Sequence, residues 1–378
     1  MIILLITLSG CSTQKEVPRF KVSFYPYGAK SAFWFTSDDL NPALYATERP
    51  QNSGKLLNDS SASLKALIWM GNMSRQYQVP VCYGIVPCYT PAATSNSGRV
   101  IADFTRPEYK KWREVLLDFI NEKIAWLFFH GMYHSIPIYK RPTNIGGYED
   151  ASDWQTGLDL IEQYFMVEIK TFRSPFYRPK TIDGWTFPRF IDELKNIGIT
   201  TYLDEHTNGM DNYGYKDGLF FIGTYDDRYF QKDTLRHVKT AFKNGWFLQE
   251  SCPFIYFLCK THRSQITKIF KYISKKGVNK YRGIWCPLKP AEIKDWYDVI
   301  LSNKYTIQII TAKQDHLELD ITCSPGYKME NFTLIIKNIP DITANLPFKT
   351  LQRVNNNTFV VSFPITDNTT HIAFYTRK

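Results

Sequence analysis

Two adjacent carboxylates follow a short apolar segment near the start of the chain. Residues 32–36 read as a buried strand, and Ser37, Asp38 and Asp39 come directly after it. Side chains alternate in direction along an extended chain, so one carboxylate could hold a metal ion while the other holds a proton. Taken alone, an Asp-Asp pair is more typical of a helix cap or a turn.

Two histidines follow a second predicted strand. His130 and His134 come after residues 124–129, and four positions separate them. Within one helical turn such residues lie on the same side, so both imidazoles could reach one divalent ion. Two histidines, one carboxylate and an open position form a common catalytic zinc shell. Two histidines with separate hydrogen-bond partners are the alternative for this spacing.

An arginine follows a third predicted strand. Arg173 comes after residues 168–172 and is followed by Ser174 and Pro175. Proline fixes φ, so this turn should be stiff. An arginine held there could pair with a carboxylate and fix its orientation. In isolation, an arginine in a loop is more often an ordinary surface residue.

The segments that must position these residues alternate between strand and helix up to about residue 300. Predicted strands cover residues 32–36, 79–86, 124–129, 168–172, 199–203, 246–248 and 283–285. Predicted helices cover residues 64–77, 109–120, 157–165, 187–197, 264–274 and 290–301. This alternation predicts an α/β fold with a parallel sheet, and its length suits a distorted (β/α) barrel of seven or eight units. In such barrels, functional side chains lie where the strands end.

The pattern changes near the C-terminus. Short alternating strands are predicted at residues 305–310, 316–322, 332–337, 358–363 and 371–375. They indicate a small antiparallel β-sandwich. We therefore assign residues 20–304 to the barrel and residues 305–378 to the sandwich. The sandwich could bind glycan, space the barrel from a membrane or cover the barrel, and the sequence does not choose among these roles.

Composition limits the class of protein. Apolar residues make up 44% of the 378 residues and charged residues 22%, which excludes wholesale disorder. The formal net charge is +10, but no nucleic-acid-binding module is recognisable. We expect basic segments such as residues 271–277 to form a solvated helix face. Six cysteines have no zinc-finger spacing and are expected to be mostly small buried hydrophobic residues: Cys82, Cys88, Cys252, Cys259, Cys286 and Cys323.

The N-terminus has features of an exported protein. Residues 1–8 are apolar but too few to span a bilayer. Residues 8–11 read Leu-Ser-Gly-Cys, which resembles the lipobox of bacterial lipoproteins, where Cys11 would carry the lipid. The expected basic segment is missing, and a buried N-terminal strand is the alternative. We predict a signal and tether over residues 1–19, with the protein lipid-anchored in the bacterial cell envelope, periplasmic or on the outer surface.

The order of the three strand-end motifs is more specific than any one of them. Asp-Asp, then His-x-x-x-His, then Arg-x-Pro, each after a predicted strand, resembles the polysaccharide deacetylases (the NodB-homology domain, carbohydrate esterase family 4). The resemblance covers roughly residues 25–300. It implies a metal-dependent hydrolase that removes acetyl groups from a polysaccharide or a peptidoglycan-type glycan.

The resemblance also implies roles for individual residues. Asp38 matches the catalytic base, and Arg173 matches the residue that orients it. The ligands of a divalent metal ion, expected to be Zn²⁺, would be Asp39, His130 and His134.

Substrate contacts can be assigned in the same way. Phe176 stands where the family usually has Tyr, and its backbone N–H would help to bind the oxyanion beside Pro175. Among the tryptophans, Trp185 is the first candidate for a sugar platform.

The sequence departs from the family pattern at three places. Leu40 stands where the family usually has Gly, and the fourth motif cannot be matched at residues 204–206. Cys252 and Pro253 stand where a His-Pro motif would supply the general acid. His262 could replace that acid, and His206 is a second candidate.

Two other functions therefore remain open. The chain could be a cell-surface carbohydrate-binding protein on a catalytically decayed deacetylase barrel. It could also be a glycoside hydrolase, which requires two carboxylates about 5 to 9.5 Å apart across a cleft. The carboxylates available to such an enzyme would include Asp38, Asp204, Glu205, Asp226 and Asp227.

Overall fold

The structure is a computed structural model that describes residues 17–43, 60–89, 102–132, 151–175, 187–204, 213–223, 225–226, 234–313, 316–339, 341–344 and 348–375. The chain forms two compact units. Residues 29–297 form the barrel unit, and the C-terminal unit combines the residues up to 28 with residues 298–378. Within the described part of the chain, no helix has both the length and the apolar character needed to cross a bilayer.

The strands are β1 (Arg19–Val22), β2 (Ser31–Leu40), β3 (Val81–Ile85), β4 (Cys88–Tyr89), β5 (Ala102–Asp103), β6 (Ala125–Phe129), β7 (Thr171–Phe172), β8 (Thr201–Asp204), β9 (Tyr213–Lys216), β10 (Leu219–Gly223), β11 (Tyr225–Asp226), β12 (Phe247–Pro253), β13 (Ile284–Trp285), β14 (Tyr305–Lys313), β15 (His316–Cys323), β16 (Met329–Lys337), β17 (Thr343–Ala344), β18 (Thr350–Asn355), β19 (Thr358–Ile365) and β20 (Thr370–Tyr375). The helices are α1 (Ser60–Tyr77), α2 (Lys110–Asn121), α3 (Ala151–Phe165), α4 (Phe187–Asn196), α5 (Thr234–Asn244), α6 (Lys260–Lys276) and α7 (Pro290–Trp296).

The barrel unit is built on one sheet in the order β11-β12-β2-β3-β6-β7-β8-β10-β9, with β13 beside β2. Neighbouring strands run parallel except for the β9–β10 hairpin. Helices connect the parallel strands and bury their apolar faces on the sheet, as such connections require. The predicted α/β fold, with a parallel sheet flanked by helices and followed by separate antiparallel sheets, is confirmed.

The two faces of β2 have different environments. Phe33 and Phe35 belong to the apolar core that the sheet shares with the helices. Because side chains alternate along a strand, Trp34, Thr36 and Asp38 lie on the opposite face. Every residue of β2 except Asp39 is buried.

Several predicted boundaries are corrected by the structure. The strand predicted at residues 32–36 extends through Ser31–Leu40, because parallel pairing on both sides carries it past the polar residues. The strand predicted at residues 168–172 is reduced to Thr171–Phe172. The hairpin of β9 and β10 was not predicted, although Asp217 and Gly218 followed by the apolar segment of β10 are a typical hairpin signal.

The C-terminal unit consists of two antiparallel four-stranded sheets, β1-β16-β19-β18 and β14-β15-β20-β17. Rings from the two sheets meet where Tyr305 contacts Phe332, with centroids 5.2 Å apart. The sequence placed residues 20–28 with the barrel, whereas Arg19–Val22 pairs with β16 in this unit. Local pattern cannot reveal such a pairing, because the partner strand lies more than 300 residues away.

Candidate active site

A buried ion pair joins two of the predicted residues. The Arg173 side chain is fully buried, and its Nη1 lies 3.0 Å from Asp38 Oδ1 and 2.8 Å from Asp38 Oδ2. Nη1 also donates to Ser251 Oγ at 2.7 Å. The Ser251 hydroxyl lies 3.4 Å from Asp38 Oδ2. The carboxylate is therefore held by a guanidinium and a hydroxyl from two other strand ends.

Parallel strands bring these residues together. Asp38 lies near the carboxyl end of β2, beside Pro253 of β12 in register. Arg173 follows β7, and its backbone N–H donates to the carbonyl of Phe129 at the end of β6. The carboxyl ends of parallel strands share one edge, so residues far apart in sequence converge there.

A bulge in β2 separates the directions of Asp38 and Asp39. The pairing of β2 with β3 shifts register between Ser37 and Leu40, and Asp39 has a φ of 63°. This left-handed conformation is uncommon for a residue other than glycine. The Asn41 amide stabilises it by donating to the Asp39 carbonyl at 3.0 Å. The Asn41 side-chain carbonyl in turn accepts the Ala43 N–H at 3.0 Å, which closes an Asx turn.

One hydrogen bond fixes the proton on Nδ1 of His130. The side chain is 3% exposed, and Nδ1 lies 2.9 Å from the backbone carbonyl of Arg173. A carbonyl oxygen only accepts hydrogen bonds, so Nδ1 carries the proton and donates. In the neutral imidazole, Nε2 therefore presents its lone pair, and it lies 3.4 Å from Asp39 Oδ1.

His130 Nε2 and Asp39 Oδ1 are placed as two ligands of one metal ion would be. A backbone carbonyl that accepts from Nδ1–H is the usual partner of a histidine that binds metal through Nε2. Bond lengths of about 2.0 to 2.2 Å in a tetrahedral shell place two ligand atoms about 3.4 Å apart. The Asp39–His130 separation of 3.4 Å matches that spacing. The described residues contain no group of three metal-binding side chains, and His134, the third predicted ligand, lies outside them.

The local field favours a cation beside His130. Burial works against protonation of the ring, but the hydrogen bond to Asp39 and the charges of Asp38 and Asp39 outweigh it, so the pKa of His130 lies above its ordinary value. Cys82 lies in the same field. Burial and then the charge of Asp38 raise the pKa of its thiol, so it stays neutral.

The turn after His130 differs from the helical turn expected from the sequence. Gly131 has a φ of 81°, a left-handed conformation that a right-handed helix does not contain. Residues 130–132 are not helical. The helical turn that was expected to bring His130 and His134 to one ion therefore does not begin at His130.

The other predicted residues have different placements. Ser174 and Pro175 are buried in the turn after Arg173, where Ser174 Oγ lies 3.1 Å from the Pro175 carbonyl. His262 is half-buried at the start of α6, with its ring stacked on Tyr256 at 4.3 Å between centroids. Its role as the acid stays a prediction. Four of the predicted site residues and the second acid candidate lie outside the described residues: Cys11, His134, Phe176, Trp185 and His206.

Sequence reasoning missed Ser251 and Asn41. Ser251 lies beyond the apolar segment 246–248 that predicted a strand, but β12 continues to Pro253 and carries it to Asp38. Extending that strand would have brought Ser251 into consideration. For Asn41, the signal was an Asx residue directly after Leu40, which is typical of a turn.

Comparison with known proteins concerns the fold. No family model and no curated protein matches the sequence. Agd3, a carbohydrate deacetylase of known structure, superposes with a TM-score of 0.53 at 8% identity, covering 93% of this chain and 65% of Agd3. A Mycobacterium smegmatis protein assigned to the polysaccharide deacetylases superposes with a TM-score of 0.47 at 12% identity, covering 74% of this chain and 93% of that protein. The peptidoglycan deacetylase PdaC of Bacillus subtilis superposes with a TM-score of 0.36 at 11% identity, covering 72% of this chain and 94% of PdaC. The chain therefore shares the fold of Agd3.

Proposed function

We propose that this protein is a polysaccharide deacetylase, a metal-dependent hydrolase that removes acetyl groups from a polysaccharide or a peptidoglycan-type glycan. One observation supports this most strongly. The buried Asp38–Arg173 pair lies next to Asp39 and His130, and strand ends bring all four together. Agd3, which shares the fold, is described as a carbohydrate deacetylase.

The residues divide the chemistry between them. Asp39 and His130 would hold a divalent ion, with His134 as the third ligand. The ion, expected to be Zn²⁺, would activate water and polarise the acetyl carbonyl. Asp38 would take up the proton of the attacking water. Arg173 and Ser251 would keep that carboxylate correctly oriented, because both donate hydrogen bonds to it.

The roles in the remaining steps follow the family resemblance. The tetrahedral oxyanion would be stabilised by the backbone N–H of Phe176, following the family resemblance. His262 would protonate the departing amine or sugar oxygen. Pro175 and Trp185 would contact the sugar.

The alternative, a carbohydrate-binding protein on a decayed barrel, rests on one observation. Cys252 of β12 stands where the family pattern would place the acidic histidine, and Pro253, the proline of that motif, lies beside Asp38. A barrel that lacks the acid could still bind glycan. We also propose that the protein is lipid-anchored through Cys11 in the bacterial cell envelope.

An acetate assay separates these functions. Acetylated chitooligosaccharide, xylan and peptidoglycan would be incubated with the protein, and released acetate would be measured. We expect acetate from at least one substrate, and we expect a chelator or Asp38→Asn to abolish its release. Asp118→Asn is the matched control, because Asp118 lies exposed on α2 and should leave the rate unchanged. Tight glycan binding without acetate release would support the binding protein instead.

A further inference from the structure

The positive charge of the protein is concentrated in one segment of the barrel unit. Residues 234–283 contain eleven Lys and Arg but a single acidic residue, Glu250, which is buried. The net charge of this segment is therefore +10. The whole chain, with 46 basic and 36 acidic residues, has the same net charge. The rest of the chain is balanced.

Helices α5 and α6 carry this charge without any acidic residue in either helix. Helices α2 and α4, by contrast, mix signs: Lys110 on α2 lies 3.9 Å from Glu114, and Lys195 on α4 lies 2.7 Å from Asp192. Six exposed lysines form no ion pair with any described residue and define what we call the basic face: Lys30, Lys239, Lys243, Lys271, Lys275 and Lys276. The exposed faces of α2 and α4 include acidic partners for their lysines, whereas the basic face does not.

The arrangement of the basic face opposes helix stability. Lys239 and Lys243 are four residues apart on α5, and Lys271 and Lys275 are four residues apart on α6. Like charges at this spacing repel and destabilise the helix. A bound polyanion would remove that repulsion.

Aromatic rings gather the ammonium groups where α5 meets α6. Phe242 and Tyr272 contact each other with centroids 6.2 Å apart. Lys30 Nζ lies 5.0 Å and Lys276 Nζ 4.9 Å from the centre of the Phe242 ring, so the two ammonium groups are at most 9.9 Å apart, the sum of those distances. Lys239 Nζ lies 6.0 Å from the Tyr272 ring. The cations therefore converge on one junction instead of spreading apart.

We propose that the basic face binds a linear polyanionic glycan, a sugar chain with carboxylate or phosphate groups along its length. Helix α6 has 17 residues and is about 25 Å long, and exposed lysines occur along it from Lys260 through Lys268 to the basic face at its end. A helix that lies in a membrane surface inserts large apolar side chains, and neither α5 nor α6 exposes one. A flexible anionic chain lying along α6 needs no such insertion. The inference is independent of the proposed deacetylase activity, since binding requires none of the strand-end residues.

The test uses the full chain with sodium polygalacturonate, a linear glycan with a carboxylate on each sugar, and measures its affinity by calorimetry. The test variant combines Lys239→Gln, Lys243→Gln, Lys271→Gln and Lys275→Gln. The control variant removes four exposed, acid-paired lysines from other faces through Lys110→Gln, Lys111→Gln, Lys170→Gln and Lys195→Gln. Both variants change the net charge equally.

We expect the test variant to raise the Kd at least tenfold and the control variant to raise it less than twofold. The wild-type affinity should fall as salt rises, because screening weakens exposed charges. Thermal unfolding of the test variant should match the wild type, which shows that lost binding is not lost folding. Equal weakening in both variants would overturn the proposal, because net charge alone would then account for binding. Absence of binding to polygalacturonate, with or without binding to phosphatidylglycerol vesicles, would overturn it as well.

Discussion

Asp38 and Arg173 should contribute jointly, as a coupled pair, to the free energy of unfolding of the barrel unit. At 2.8 Å and an effective dielectric constant of about 20, Coulomb's law gives an attraction of roughly 6 kcal/mol. Most of it is offset by the cost of removing both charges from water. Removal of one partner leaves the other charge buried and costs about 3 to 5 kcal/mol.

The two single substitutions should differ in size. Asp38→Asn leaves a guanidinium that is 0% exposed, so its cost should lie near the upper value, about 4 to 5 kcal/mol. Arg173→Met leaves a carboxylate that is 8% exposed and can recruit water, so we expect about 3 kcal/mol. In the double variant no buried charge remains, so its cost should fall about 2 to 3 kcal/mol below the sum of the singles.

Tryptophan fluorescence during urea unfolding measures these differences selectively. All nine tryptophans lie between residues 34 and 296, within the barrel unit, so the signal reports that unit. Ser251→Ala provides a smaller step of about 1.5 kcal/mol, because it removes a hydrogen bond to a charged group. If the cost of the double variant equals the sum of the two single costs within about 0.5 kcal/mol, the two side chains do not act together. The assigned role of Arg173 would then be refuted.

Three further predictions concern other residues. His262→Ala should lower turnover more than tenfold if this histidine is the acid, and an unchanged rate would remove it from the site. Asn41→Ala should weaken zinc affinity by about 10- to 100-fold, measured by calorimetry, because it removes the brace on the Asp39 turn; unchanged affinity would show that the turn holds without it. Of the six described cysteines, Cys259 alone is exposed, so maleimide at neutral pH should label it and spare the others. Burial raises the pKa of Cys88 to about 12, so rapid labelling of Cys88 in the folded protein would contradict the structure.

The barrel could be predicted because its signals are local. Continuous apolar segments such as those of β3 and β6 are typical of strands covered on both faces, and amphipathic helices separate them. The partnership of Arg173 with Asp38 was implied by the family resemblance, and the local pattern placed both residues near the ends of predicted strands. Burial of five of the six described cysteines confirms that expectation.

The remaining features depend on distant contacts. Arg173 resembles a surface residue by type, and it is buried only because Asp38, 135 positions earlier, neutralises it. The left-handed conformation of Asp39 depends on a register shift against β3, which no local pattern encodes. The position of β1 depends on pairing with β16 at the other end of the chain. Such features emerge only when the sheet is assembled.

Zinc binding tests the central claim most directly. Calorimetric titration of the metal-depleted protein should show one tight site, and Asp39→Ala and His130→Ala should each weaken it at least tenfold. His371→Ala is the control, because this exposed histidine pairs with Asp320 in the C-terminal unit and should leave the affinity unchanged. If zinc does not bind, or binds equally well after Asp39→Ala and His130→Ala, the proposed metal site is wrong.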